Sequence, residues 1–393
     1  MSIRRSSVSR REFLRRASSA AVAAPFVLRS RYRLFAESNE EYPERVVRLI
    51  REELVIDMLN QFLYRKDKES VLKDWLSQPG AFKRSDFEFF VNSGVNAINF
   101  GLGASSVDDA EKLFAKWNSF LLDYPQWLAR INSGDDFEKV KTQGRYGVIF
   151  GLQSSAQFET VDAVNTCYGF GQRISQLSYN FRSLVADGAF EPHDGGVSEY
   201  GQQVIERMNQ VGMAVDLGHA SDRTKLDACE MSKAPVILSH GNCRALNPDS
   251  PRTSTDEAIR KLAKRGGVMG ITCIAFMVKG TEPVTVEDVV NHFDHVRDLV
   301  GIEHVGIGSD AGVESNDLAD PRYLRRCWRR QTRVTTFMEP TRWSLASKDR
   351  NESMISPPLS SGGDTPMSTF AWFWARTGAE RWEKSGMPDT ACR

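Results

Sequence analysis

The chain has 393 residues, with 51 Lys and Arg against 51 Asp and Glu, and a formal net charge of +0. That balance excludes a general nucleic-acid or membrane-surface binder. Hydrophobic residues make up 41%, an ordinary share for a soluble protein, and the length suits one large α/β domain or two smaller ones.

Residues 1–36 read as a targeting segment. Ser9-Arg10-Arg11-Glu12-Phe13-Leu14 carries a twin arginine, and an Ala-rich stretch follows over residues 17–28. This is the form of a bacterial twin-arginine export signal, which leads to the periplasm or cell envelope. The apolar stretch is short for a bilayer span, and no other segment reads as transmembrane.

From residue 50 to about 320, eight apolar runs predict strands: 54–57, 95–100, 146–150, 174–178, 213–217, 235–239, 268–272 and 304–308. Helical spacing of apolar residues covers 110–131, 200–210, 256–264 and 286–300. Thr255 and Thr285 stand where helix N-caps belong. Strand–helix alternation implies a parallel sheet, and eight units over about 250 residues fit an α/β (β/α)8 TIM barrel. An open doubly wound sheet is the alternative. No G-x-G-x-x-G follows the first strand and no P-loop occurs, so nucleotide binding lacks support.

Three of the strand-like runs end in groups that suit chemistry. Met213-Ala-Val-Asp-Leu-Gly ends at His219, Ala234-Pro-Val-Ile-Leu-Ser at His240, and His304-Val-Gly-Ile-Gly-Ser at Asp310. In a barrel the C-terminal strand ends converge on the face that carries the active site. Two imidazoles and a carboxylate meeting there look like a metal site of zinc type. The other histidines read differently: His193 as a loop residue or substrate contact, His292 and His295 as exposed residues of one helix. Trp117 and Trp127 read as packing residues. Tyr179 directly follows the fourth strand, where a pocket role and a structural role both stand. Cys167, Cys229, Cys243, Cys273, Cys327 and Cys392 are scattered without a C-x-x-C, so no disulfide framework is implied.

At these residues the chain resembles the membrane (renal-type) dipeptidases, zinc barrel hydrolases of the amidohydrolase kind. The resemblance runs from residue 53 to 310. It is most specific at 209–221, at 234–246 with Pro251-Arg252-Thr253 beyond, and at 304–310. Gln176-Leu-Ser-Tyr-Asn180 and Asp187-Gly188 resemble the bacterial branch. The resemblance implies hydrolysis of dipeptides by metal-activated water, with metal on His219 and His240. Arg252 would bind the substrate carboxylate, for which a planar bidentate donor is suited. Asp310 would contact the substrate amine or the catalytic water, with Tyr179 as a further substrate contact. A homodimer is an expectation left open.

The departures from the family pattern are specific. Its first strand ends in a His-x-Asp metal pair, and here Leu59 and Gln61 stand in those places. Its third strand ends in a Glu that bridges two zinc ions, and here the residue is Gln153. Unit charges near 4 Å interact by about 4 kcal/mol at an effective dielectric of 20, so two dications repel by roughly 15 kcal/mol. Without carboxylates to offset this, one zinc ion at most is expected. Two readings follow: a mononuclear metallohydrolase of dipeptides, or a non-catalytic dipeptide-binding protein.

After about residue 320 the chain changes character. Residues 322–333 are rich in Arg, and 334–393 show little periodicity. Read one base out of register, the codons implied by this tail spell an amphipathic helix pair with a Gly-x-Asn-Trp element, which resembles the C-terminus of bacterial membrane dipeptidases. The expectation is a frameshift near Pro321, with residues 321–393 out of frame and the closing helix of the barrel disrupted.

Overall fold

A computed structural model describes residues 31–33, 41–63, 68–281 and 283–312. The segment expected to direct export (apart from 31–33), the tail after residue 320 and the expected closing helix lie outside the described residues. Eight parallel strands form the frame: β1 (Ile56–Asn60), β2 (Ala97–Leu102), β3 (Tyr146–Leu152), β4 (Gln172–Gln176), β5 (Ala214–Asp216), β6 (Ile237–Gly241), β7 (Val268–Ile271) and β8 (Val305–Ile307). Each pairs with the next, and β8 returns to β1 through Ile307 and Asp57, so the sheet closes as a (β/α)8 barrel. All seven residues of β3 are buried, as expected for a strand covered on both faces.

Five helices begin with a side-chain oxygen that accepts a first-turn N–H: Ser106, Ser198, Ser221, Thr255 and Thr285. Thr285 adds a capping box with Asp288. The helices Asp256–Lys264 and Val286–Val300 begin and end where the sequence puts them. The helix expected over 110–131 instead spans Val107–Asp123. Pro125 stands just beyond it, and a proline disfavours helical backbone at the residue before. The chain continues as a short ninth strand, Leu128–Arg130, beside the start of β3.

The closing seam is fixed by a buried carboxylate. Asp57 accepts from the Ser309 backbone N–H at 2.9 Å, from Ser309 Oγ at 2.5 Å and from Asn60 Nδ2 at 3.0 Å. Burial nevertheless pushes its carboxyl up to about 6. Asp216 at the end of β5 repeats the device, accepting from the backbone N–H of Gly218 and of Ser239, each at 2.9 Å.

His292 corrects the sequence expectation. It is buried rather than exposed, because its ring ties the loop at Cys243 and the short helix Ala275–Val278 to the helix Val286–Val300. The Cys243 N–H donates to Nδ1 at 3.0 Å, and Nε2 donates to the Val278 carbonyl at 2.8 Å. His295 is half-buried and paired with Asp256 at 2.8 Å.

Replacing His292 with alanine strands two buried backbone groups at about 1–3 kcal/mol each, so urea unfolding should register a loss of about 2–6 kcal/mol. His292→Gln can keep both bonds without titrating. Burial pushes the folded imidazole below its ordinary 6.5. Below that pH the unfolded chain takes up a proton that the folded one refuses, so stability falls as pH falls. The wild type should lose up to ~1.4 kcal/mol more per pH unit than His292→Gln. Equal slopes would mean that the folded ring accepts the proton.

Candidate active site

The strand ends bring His219, His240, Arg252 and Asn180 into one buried cluster. His219 follows β5 on a left-handed backbone, φ 62°, after Gly218. A Cβ on Gly218 would lie 2.7 Å from Gln176 Nε2 and 2.9 Å from His240 Cε1, so only glycine lets the turn pass there. His240 belongs to β6 itself. The two imidazole centroids stand 4.9 Å apart, and Tyr179 stacks on His219 at 4.1 Å.

The hydrogen bonds at this cluster are few and specific. His219 Nδ1 lies 2.7 Å from Asn180 Oδ1, and its Nε2 is buried with no partner among the described residues. His240 Nδ1 lies 2.9 Å from Ser239 Oγ, and its Nε2 receives Arg252 Nη2 at 3.1 Å. Arg252 Nη1 donates to Asn180 Oδ1 at 3.2 Å, while the guanidinium Nε is buried without a partner among the described residues. Burial, reinforced by the guanidinium beside them, pushes both imidazoles well below their ordinary value. Both rings are therefore neutral at pH 7. Burial lowers Arg252 to about 10, opposed by Asp310, Tyr179 and Asp216, so it remains a cation.

Leu59, Gln61 and Gln153, where the resemblance led to an expectation of metal ligands, lie near the barrel mouth. A Cβ on Gly101 would lie 3.0 Å from Gln153 Oε1 and 3.2 Å from Leu59 Cδ1, so these two side chains converge over the end of β2. Gln61 Nε2 donates to Asp310 Oδ1 at 2.6 Å. Asp310 has a left-handed backbone, φ 55°, and its N–H donates to the Leu59 carbonyl at 2.9 Å. Among the described residues no three His, Cys, Asp or Glu side chains group to hold a metal ion. His193 lies exposed in a loop, its carbonyl accepting from Arg182 at 2.9 Å. Trp117 is buried in the aromatic core. Sequence reasoning assigned no role to Asn180, Asp57 or Asp216. Asn180 stood out only as part of the segment Gln176–Asn180, without a role, because its partners stand 39 and 72 residues away.

The sequence matches the family described as Membrane dipeptidase (Peptidase family M19) over residues 85–327, more than half of the chain. That match begins after β1, so Leu59 and Gln61 fall outside it. Dipeptidase verJ of Clonostachys rogersoniana is 35% identical over 190 residues, 48% of each chain. The chain thus spans about half the length of the curated relatives it matches. An amidohydrolase from Pseudomonas aeruginosa is similar in structure, with a TM-score of 0.58 and 26% identity, covering 68% of this chain and 77% of that one. A metallo peptidase from Rhodobacter sphaeroides, solved with a phosphinate mimic of L-Ala-D-Ala, shares the fold at a TM-score of 0.56 and 19% identity, covering 71% and 93%. By the extent of the family match, this chain belongs to the membrane dipeptidases, peptidase family M19.

Proposed function

We propose that this chain binds dipeptides at the barrel mouth and hydrolyses them with one metal ion at most, held by His219 and His240. A further solved dipeptidase of the family is described as a metallo peptidase, and a metal cofactor is implied for the family as a whole. The observation that carries the reading is the buried Nε2 of His219, which has no partner among the described residues, 4.9 Å ring to ring from a second neutral imidazole. That nitrogen, together with His240 Nε2 once Arg252 Nη2 releases it, would give one zinc ion two ligands and leave open positions, where catalytic zinc sites ordinarily have three protein ligands. When bound, the ion would supply a water of lowered pKa. A pair of ions does not fit, because Gln61 and Gln153 bring no charge to offset repulsion of roughly 15 kcal/mol.

The chain's own groups divide the remaining work. Arg252 stays charged in a buried setting and has an unused Nε, so it can grip the substrate carboxylate. Gln61 orients Asp310 by the 2.6 Å bond, leaving the carboxylate to hold the substrate amine or take a proton from the attacking water. The exposed Tyr179 ring walls the entrance above His219.

A second reading, a metal-free dipeptide binder, is favoured by one contact. Arg252 Nη2 already occupies the His240 lone pair that an ion would need. The test uses purified full chain with alanyl-alanine, zinc and a chelator. Hydrolysis that appears with one equivalent of zinc and vanishes with chelator supports the first reading. A rise in melting temperature with millimolar dipeptide, without turnover in any metal, supports the second. Neither response would sink both.

A further inference from the structure

We propose that Asn180 is a positioning residue that relays proton placement from Arg252 to His219, so that one guanidinium sets the tautomer of both site histidines. Arginine has donors only, so the Asn180 atom 3.2 Å from Nη1 is its oxygen. That same oxygen lies 2.7 Å from His219 Nδ1. Two acceptors cannot share a hydrogen bond, so Nδ1 carries the proton and Nε2 keeps a bare lone pair. At His240 the setting is direct. Nη2 donates to Nε2 at 3.1 Å, which places the ring proton on Nδ1, facing Ser239 Oγ at 2.9 Å. Both rings thus present Nε2 as an acceptor, against the intrinsic preference of imidazole for Nε2–H. The nitrogen left bare is the one a metal ion or a substrate N–H would engage.

The backbone around Asn180 is built to hold this geometry. Asn180 has φ 63°, a left-handed conformation that asparagine tolerates better than most residues. The Phe190 N–H donates to the Asn180 carbonyl at 2.7 Å. Gly188 passes so close that a Cβ would sit 2.4 Å from that carbonyl oxygen. Between them, the Ala189 N–H donates to the His219 carbonyl at 2.8 Å. One three-residue segment therefore fixes the main chains of Asn180 and His219 relative to each other. A strained residue persists where its surroundings over-determine it in this way, commonly at a functional site.

The test is nitrogen NMR of the metal-free full chain labelled with 15N-histidine at pH 7.5, with the His219 resonances identified by their loss in His219→Gln. The wild type should show His219 protonated on Nδ1. Asn180→Asp keeps an acceptor oxygen and should preserve that pattern. Asn180→Ala and Asn180→Gly remove the acceptor and should move the proton to Nε2. The glycine variant also relaxes the left-handed backbone, so that a folding failure of the alanine variant leaves the test intact. A wild-type His219 protonated on Nε2, or an Nδ1 pattern unchanged in both truncations, overturns the proposal. The readout is independent of turnover, so it stands apart from any failure of dipeptide hydrolysis.

Discussion

Replacing Arg252 with alanine should raise the dissociation constant for alanyl-alanine by about thirtyfold to several thousandfold. Truncating one member of a buried, hydrogen-bonded charge pair costs about 2–5 kcal/mol, and each 1.4 kcal/mol is tenfold. Arg252 is 5% exposed and is a cation hydrogen-bonded within the histidine cluster. Its planar fork spans Asn180 and His240 at once, and lysine cannot reproduce that. The same change should act in the opposite direction on metal. It removes the donor from His240 Nε2 and a positive charge from beside both imidazoles, so zinc should bind more tightly. Calorimetry of dipeptide and of zinc against both proteins reads the two effects separately. A dipeptide affinity within threefold of wild type would remove Arg252 as the carboxylate anchor. Zinc affinity that fell along with it would point to simple collapse of the site.

Introducing metal-ligating side chains at Leu59, Gln61 and Gln153, where the resemblance leads them to be expected, should produce the largest gain. In the triple variant Leu59→His, Gln61→Asp and Gln153→Glu, bound zinc measured by elemental analysis should rise from one ion at most to two. The positions are suited to it, since Leu59 and Gln153 converge over Gly101 and Gln61 reaches Asp310. The physics also predicts a cost without metal. The 2.6 Å bond from Gln61 to Asp310 would become two carboxylates face to face, and like charges sharing a site raise one pKa and strain the pair. Leu59 is fully buried, so an imidazole there is desolvated as well. The metal-free triple variant should therefore melt below wild type and recover with zinc, as linkage requires. A stoichiometry that stays at one or below would show that the mouth has lost more than its charges.

The barrel was legible because a strand buried on both faces announces itself as an apolar run, and all eight runs became strands. Their ends shifted by up to three residues, because pairing continues past the apolar run. β1, for instance, extends through Asn60. Some helices left little trace. Asp222–Met231 buries Thr224 and Lys225 along with Ala228 and Cys229, so its inner face does not look apolar. His292 stands three residues after Val289 and four before Val296, on the buried stripe of its helix, so its burial could have been read from spacing. Within the site, His219, His240 and Asp310 were visible as strand-end residues. The roles of Asn180 and Asp57 were not, because each acts through partners brought near only by closure of the barrel.

That closure also sets a schedule for the newborn chain. Asp57 and Ser309, which fasten the last seam, are 252 residues apart in sequence. At about 5–20 residues per second, a ribosome takes on the order of tens of seconds to deliver the second after the first. Through that interval β1 has no β8 to pair with, and its apolar residues and open edge are a template for other chains. Completion of the barrel is a late, non-local event of the kind that folds slowly and invites aggregation. Synthesis rate and holdase supply should thus govern the yield of this protein more than its final stability does.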